Sequence, residues 1–194
     1  MAFKVFRIAA PSEIDSVPVA VIKHYPLEKR DYKPYAQCNL CLCEDGLLLR
    51  MWAFEVSPPE GSELCAVLYL FPDKPDAALS VSLRPEGLYE IALLRGDASR
   101  FWRHDDPPPG FVLAPHSGED LQGVYWGATA ALPLDWLREV GGKVSLEPGE
   151  SLRGNFYKLC PGPDWAHSGS FFPADFAADR FGAANMGELV VAAW

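Results

Sequence analysis

The stretch AQCNLCLCEDGLLLRMWAFEV, residues 36–56, decides the fold class. It holds two apolar runs, Ala36–Cys43 and Leu47–Val56, joined by Glu44-Asp45-Gly46. An Asp-Gly pair tolerates positive φ and so joins antiparallel strands tightly. Side chains alternate faces along a strand. In the second run Leu47, Leu49, Met51 and Ala53 therefore form one apolar face suited to a core. Leu48, Arg50, Trp52 and Phe54 form the other, which sets a guanidinium beside two rings.

The same pattern recurs along the chain. Phe3–Ala9, Val19–Tyr25, Leu64–Phe71, Ala78–Leu83, Leu88–Arg95, Val124–Leu132, Leu152–Leu159 and Leu189–Ala193 read as further strands, about ten in all. Pro85-Glu86-Gly87 marks another turn. One short helix is expected over Leu134–Val140, opened by Pro133 and closed by Gly141-Gly142, with Leu134, Leu137 and Val140 on its apolar face. Trp136 on that helix reads as core. From Asp97 to Gln122 a 26-residue stretch shows little periodicity. A loop that long is either functional or mobile, or an inert insertion. Many short strands with one helix predict an all-β, antiparallel β-sandwich of jelly-roll or Ig-like type. With 194 residues and no clean linker, residues 1–194 read as a single domain.

Composition narrows the partners. Hydrophobic types make up 49% and charged types 22%, the balance of a globular chain. No apolar run approaches the ~20 residues of a membrane span. The net charge is −9, and the only basic cluster is Lys29-Arg30. Gripping phosphates needs a basic face, so nucleic acid and anionic membranes are poor partners. A neutral ligand such as a sugar carries no such requirement. The N-terminal stretch places Lys4 and Arg7 inside its first apolar run, which is not the pattern of a secretory leader. A cytoplasmic location is expected, with the five cysteines as reduced thiols.

Catalytic and metal motifs are weak. Cys38, Cys41 and Cys43 have a zinc-like spacing, but alternation puts Cys38 on the opposite face from the other two, so buried structural thiols are favoured. His24, His104, His116 and His167 fit no HExxH spacing, and no GxSxG elbow or phosphate loop is present. Cys160 with His167 is a conceivable nucleophile pair that nothing else supports. The acidic pairs at Asp105-Asp106, Glu119-Asp120 and Asp73-x-x-Asp76 read as solvated surface, without the spacing of a calcium loop.

The aromatics say more. Phe, Trp and Tyr total 12%. A flat ring with hydrogen-bond donors beside it is what a pyranose needs: the ring stacks and the donors take the hydroxyls. Trp52 beside Arg50 fits that description, and packing under a second layer fits it equally. Trp126, Trp165 and Trp102 are similar candidates.

The C-terminal third carries a family likeness. Leu132-Pro133-Leu134-Asp135-Trp136-Leu137 is followed by Leu152-Arg153-Gly154-Asn155-Phe156-Tyr157-Lys158, then Trp165-Ala166-His167-Ser168-Gly169-Ser170-Phe171-Phe172-Pro173, then Phe181-Gly182 and Met186-Gly187-Glu188-Leu189. In order and spacing this resembles the carbohydrate-binding family 9-like domain of the wider DOMON-like group. The likeness is good over Gly123–Trp194 and plausible over Ala36–Arg95. The usual Asp-Ser-x-Val-Glu-x-Phe strand is replaced by residues 62–71, and the Phe-His-Arg-Pro before the closing Phe-Gly by residues 176–181. The resemblance implies a non-catalytic sandwich that binds glycans. Relatives of this kind clamp a sugar-chain end between two tryptophans and bind calcium, which the resemblance makes possible here without assigning its ligands. Arg153 and Asn155 match motif positions, and they either orient a ligand or tie a loop to the strand. The expected ligand-binding set is Arg50, Trp52, Trp126, Arg153, Asn155, Trp165 and His167, with no cofactor required and no catalytic residue. The expected partner is a small sugar or glycan, with a homodimer through a sheet edge possible. A protein-interaction module is the alternative, and a small glycosidase-type hydrolase stands behind it.

Overall fold

The computed structural model describes residues 2–95, 100–103, 108–144, 146–160, 167–177, 179 and 181–193, with the backbone alone at 100–103. Thirteen strands among them form one sheet. They are β1 (Phe3–Arg7), β2 (Val19–Ile22), β3 (Tyr35–Cys43), β4 (Gly46–Phe54), β5 (Glu63–Tyr69), β6 (Ala78–Leu83), β7 (Tyr89–Leu94), β8 (Arg100–Arg103), β9 (Val112–Asp120), β10 (Gly123–Pro133), β11 (Ser151–Leu159), β12 (Gly169–Ser170) and β13 (Gly187–Ala192). Their order is β8-β7-β6-β5-β11-β13-β1-β3-β4-β10-β9, with β12 on β11 and β2 on β3. The all-β class and the ten expected strands are present. The purely antiparallel pairing is not: β1 runs parallel to both its neighbours, β13 and β3, so the sheet is mixed.

The sheet curls until its two wings share one core. Leu64, Leu68, Leu79 and Phe156 from the β6-β5-β11 wing belong to the same buried cluster as Leu40, Leu49, Met51 and Trp126 from the β3-β4-β10 wing. The predicted inward face of β4 is confirmed: Leu47, Leu49, Met51 and Ala53 are all buried. The β3–β4 hairpin forms with the turn at Glu44-Asp45. Gly46, however, is not at positive φ. It is glycine because a Cβ there would lie 2.1 Å from the Leu132 carbonyl oxygen of β10. At the second turn Gly87 does take φ 78°.

The helix α1 (Leu134–Gly141) follows Pro133 and ends where the Gly142 N–H donates to the Arg138 carbonyl. Trp136 and Leu137 are buried in the shared core, and Leu134 and Val140 pack against it. A 3-10 turn, Pro11–Ser16, covers the outer end of β3 and β4, where Ile14 and Val17 meet Cys41 and Leu48. The Asp97–Gln122 stretch holds the two strands that end the sheet, β8 and β9. Most β9 side chains are exposed on both faces, so no apolar alternation marks it. No helix among the described residues is long and apolar enough to cross a membrane.

Candidate functional site

The outer face of the β3-β4-β10-β9 wing carries a row of rings. Register places Trp52 opposite Gln37 and Gly127, and Phe54 opposite Tyr35 and Tyr125. Trp52 stacks on Tyr125 with centroids 5.2 Å apart and planes at 25°. Tyr125 leans on Phe54 at 5.7 Å, and Phe54 meets Tyr35 edge-on at 5.5 Å. His116 of β9 meets Trp52 edge-on at 6.3 Å. Gly127 lets β10 close against β4 and the indole, since a Cβ there would fall 2.0 Å from the Met51 carbonyl oxygen and 2.8 Å from Trp52 Cδ1. Tyr35 is 40% exposed, and Trp52, Phe54, Tyr125 and His116 are half-buried. Polar groups border the rings. The Tyr35 hydroxyl donates to Gln37 Oε1 at 3.0 Å, and His116 Nε2 pairs with Thr129 Oγ1 at 3.0 Å.

Arg50 lies beside this row, as the alternation of β4 predicts. Its guanidinium carbon stands 4.4 Å from the Trp52 ring centroid. The side chain is nearly buried and one amino nitrogen donates to Asp15 Oδ1 at 2.6 Å and to Asn39 Oδ1 at 3.2 Å. Arg50 Nε and Trp52 Nε1 are buried and make no hydrogen bond.

The other expected residues lie elsewhere. Trp126 points inward with Ala128, Ala130 and Leu132 and is 5% exposed. Its Nε1 donates to Glu55 Oε2 at 3.1 Å, so the ring is core and offers no stacking surface. The same Glu55 oxygen lies 3.3 Å from Nζ of Lys158, which is wholly buried and also donates to Ser62 Oγ at 3.3 Å. Nearby, burial and then the Glu55 charge push the Tyr25 phenol up, and its hydroxyl donates to the Pro34 carbonyl at 2.6 Å. Buried charges persist only when paired and hydrogen-bonded, and Lys158 is held in that way by Glu55 and Ser62.

Asn155 is fully buried. Its Nδ2 donates to the carbonyls of Phe172 at 3.0 Å and Asn185 at 2.8 Å. Its Oδ1 accepts from the backbone N–H of Phe156 and of Phe172, both at 2.9 Å. All four valences are used, so Asn155 ties the closing segment to β11 and has no atom left for a ligand. Arg153, two residues away, is exposed on the far end of the same strand. It stacks over Tyr69 at 5.1 Å and donates to the Pro75 carbonyl at 3.3 Å. Burial is the main reason the Tyr69 phenol is raised, Asp179 and Asp76 adding to it and Arg153 opposing them.

His167 forms a third place. Its Nδ1 lies 2.9 Å from Glu28 Oε2, and its Nε2 is in hydrogen-bond contact with Arg30. Glu28 takes Arg30 in a two-pronged pair at 2.9 and 2.8 Å. That side-chain pairing, followed by the Arg30 backbone N–H, lowers the Glu28 carboxyl to about 2. Trp165, Trp102 as a side chain, and His104 lie outside the described residues. Cys38, Cys41, Cys65 and Cys160 are buried. Burial pushes the Cys38 thiol well up and Cys41 to about 12, so both stay protonated. Cys38 lies in the shared core and Cys41 in the outer cluster, on opposite faces as expected. Among the described residues no three His, Cys, Asp or Glu side chains converge as metal ligands.

The six expected residues that are described therefore do not form one site. Arg50 and Trp52 stand together; Arg153 and His167 stand apart; Trp126 and Asn155 are structural. Tyr125 and Tyr35 are the residues the sequence reading misses. Each was within reach by alternation, but their meeting with Trp52 depends on cross-strand register.

No family sequence profile and no curated protein matches the chain. Solved structures do. A candidate carbohydrate-binding protein from Bacteroides uniformis superposes with a TM-score of 0.73 at 17% identity, covering 98% of each chain. A carbohydrate binding module family 9 from Caldicellulosiruptor kristjanssonii, in complex with cellotriose, gives 0.64 at 10% identity over 100% of this chain and 95% of the other. The module from that organism in complex with glucose gives 0.57 at 10% identity, covering 98% and 96%. At such identities the likeness is one of fold, and it runs from end to end: this chain has the fold of a family 9-like carbohydrate-binding domain.

Proposed function

We propose that this chain binds carbohydrate without catalysis, by laying pyranose rings against the aromatic face of Tyr35, Phe54, Trp52 and Tyr125. The observation that carries this is the row itself. Four rings pack in a continuous row, one pair stacked, one tilted and one edge-on, on the outside of a sheet whose core is complete without them, and all four stay partly exposed. Stacked rings give a sugar an apolar platform, while Gln37, the Tyr35 hydroxyl and His116 offer hydrogen bonds at its border. The charge of −9 suits a neutral ligand. The fold shared with modules seen holding cellotriose and glucose supports the same ligand class.

A protein-docking role is the second reading. Val56 at 80% and Leu121 at 107% exposure fringe the same end of the wing, and exposed aliphatic side chains favour a protein partner over a sugar. Titrating tryptophan fluorescence with glucose and cello-oligosaccharides, with and without calcium, separates the two. The expected result is a saturable shift that Trp52→Ala abolishes and Tyr125→Ala weakens ~10-fold, about 1.4 kcal/mol. Circular dichroism on both variants checks that they fold. A flat response from the folded wild-type chain across the panel overturns the sugar reading.

A further inference from the structure

Residues 23–33 carry Lys23, Lys29, Arg30 and Lys33 against Glu28 and Asp31, a net +2 in a chain of −9. Glu28 and Arg30 pair with each other. Lys29 and Lys33 are exposed, and among the described residues their side chains have no partner. The loop is tied down from both sides, by the Tyr25 hydroxyl on the Pro34 carbonyl and by Glu28 on His167. Its basic side chains therefore stand on an ordered base, which lowers the entropy lost on binding.

This loop enters β3 at one end of the open wing. There Tyr35 lies opposite Phe54, Phe54 opposite Tyr125, and Tyr125 opposite Gly118. The end thus passes from the basic loop before β3, past Val56 after β4, to Leu121 in the turn between β9 and β10, with Glu119 and Asp120 at the end of β9. Tyr32 is 63% exposed, and Val56 and Leu121 are more so. Glu119 and Asp120 are exposed, and one Asp120 oxygen takes the Gln122 N–H at 2.7 Å. Three strand spacings, about 14 Å, separate the basic side from the acidic side. That exceeds the ~8 Å screening length at physiological salt, so the two sides do not neutralise each other within one chain.

A patch that is basic on one side, apolar in the middle and acidic on the other is complementary to itself about a two-fold axis through its middle. We infer that this end of the wing is an interface between two copies of the chain, in which Lys29 and Lys33 of each face the partner's Glu119 and Asp120 across Tyr32, Val56 and Leu121. The edge of β9 suits a second copy less well, because Pro115 near its middle has no N–H for a further strand. The inference goes beyond the carbohydrate reading and does not rest on it, and no sugar enters its test.

That test is sedimentation equilibrium of the full chain at physiological ionic strength. The wild type is expected to pass from one chain to two as concentration rises. Lys29→Glu/Lys33→Glu turns the basic side acidic. Glu119→Lys/Asp120→Asn turns the acidic side basic and keeps the oxygen that holds the Gln122 N–H. Each pair is expected to weaken self-association at least ~10-fold. Mixed one to one, the two variants are expected to associate as the wild type does, because both charge contacts then join opposite signs. Leu121→Ser, which leaves every charge in place, is expected to weaken the wild-type dimer as well. All these side chains are exposed, so an unaltered melting temperature shows that each variant folds. A wild type that stays monomeric up to ~1 mM chain overturns the inference and leaves the patch to a different acidic protein. A dimer that any of the three variants leaves intact overturns it too, as do losses that mixing does not repair.

Discussion

Tyr157 on β11 and Trp52 on β4 both point away from the core of the same sheet, yet Tyr157 is wholly buried and Trp52 is not. Tyr157, with Cys65, Val67 and Tyr69, lies under Phe176, Phe181, Ala183 and Met186 of the closing segment. Trp52 leans on Tyr125 and Arg50 and keeps part of its surface open. The difference is made by where the chain returns. Asn155 holds residues 172 and 185 against the β5-β11 wing with three hydrogen bonds, and a fourth binds its own strand. An outward aromatic is thus core wherever the chain comes back over it, and a presented surface where it does not.

The sharpest way to break this comparison is to truncate one residue on each side. Tyr157→Ala is expected to cost about 4 kcal/mol in urea unfolding, as deletion of a buried ring does. Trp52→Ala is expected to cost about 1 kcal/mol, since its ring is half in water already. Equal costs would mean that the open face is covered after all. Next in size, Asn155→Ala should cost about 3 kcal/mol, because backbone groups of residues 156, 172 and 185 lose their partner. It should also raise dye binding to the β5-β11 face, and a stability loss with no such exposure would show that Asn155 does not hold the cover.

The smallest expected effect sharpens the border of the open face. There the chain entering β3 is bound to the 167–170 segment, through the His24 and Ser170 backbones and through Glu28 with His167. The Glu28 carboxyl is held at about 2, below its ordinary 4.5, chiefly by Arg30. A depressed carboxyl contributes stability that is complete above about pH 4.5 and is lost as pH falls through about 2. The melting temperature of the wild type should therefore fall more steeply over that window than that of Glu28→Gln. Parallel curves would remove Glu28 from the anchoring.

Much of this was legible locally. The alternation in residues 47–54 placed Arg50 and Trp52 on the outer face and four apolar residues in the core, and both placements hold. Trp126 was legible too, since it alternates with Ala128, Ala130 and Leu132, but residue type outweighed period in the reading. The edge strand β9 was not legible, because a strand wet on both faces has no apolar rhythm. The parallel seating of β1 between β13 and β3 was equally hidden, because nothing in a strand's own residues states which distant strand will pair with it.

The sequence by itself determined the all-β class, the one helix and the inward face of most strands. Each of these follows from short-range period and from turn residues acting within a few positions. The tertiary structure alone decided that Trp52 meets Tyr125, that Arg153 meets Tyr69, and that Asn155 has no free atom. These depend on register between strands far apart in the chain and on where the closing segment lies down. Both are set by the burial of surfaces that exist only once the sheet has curled.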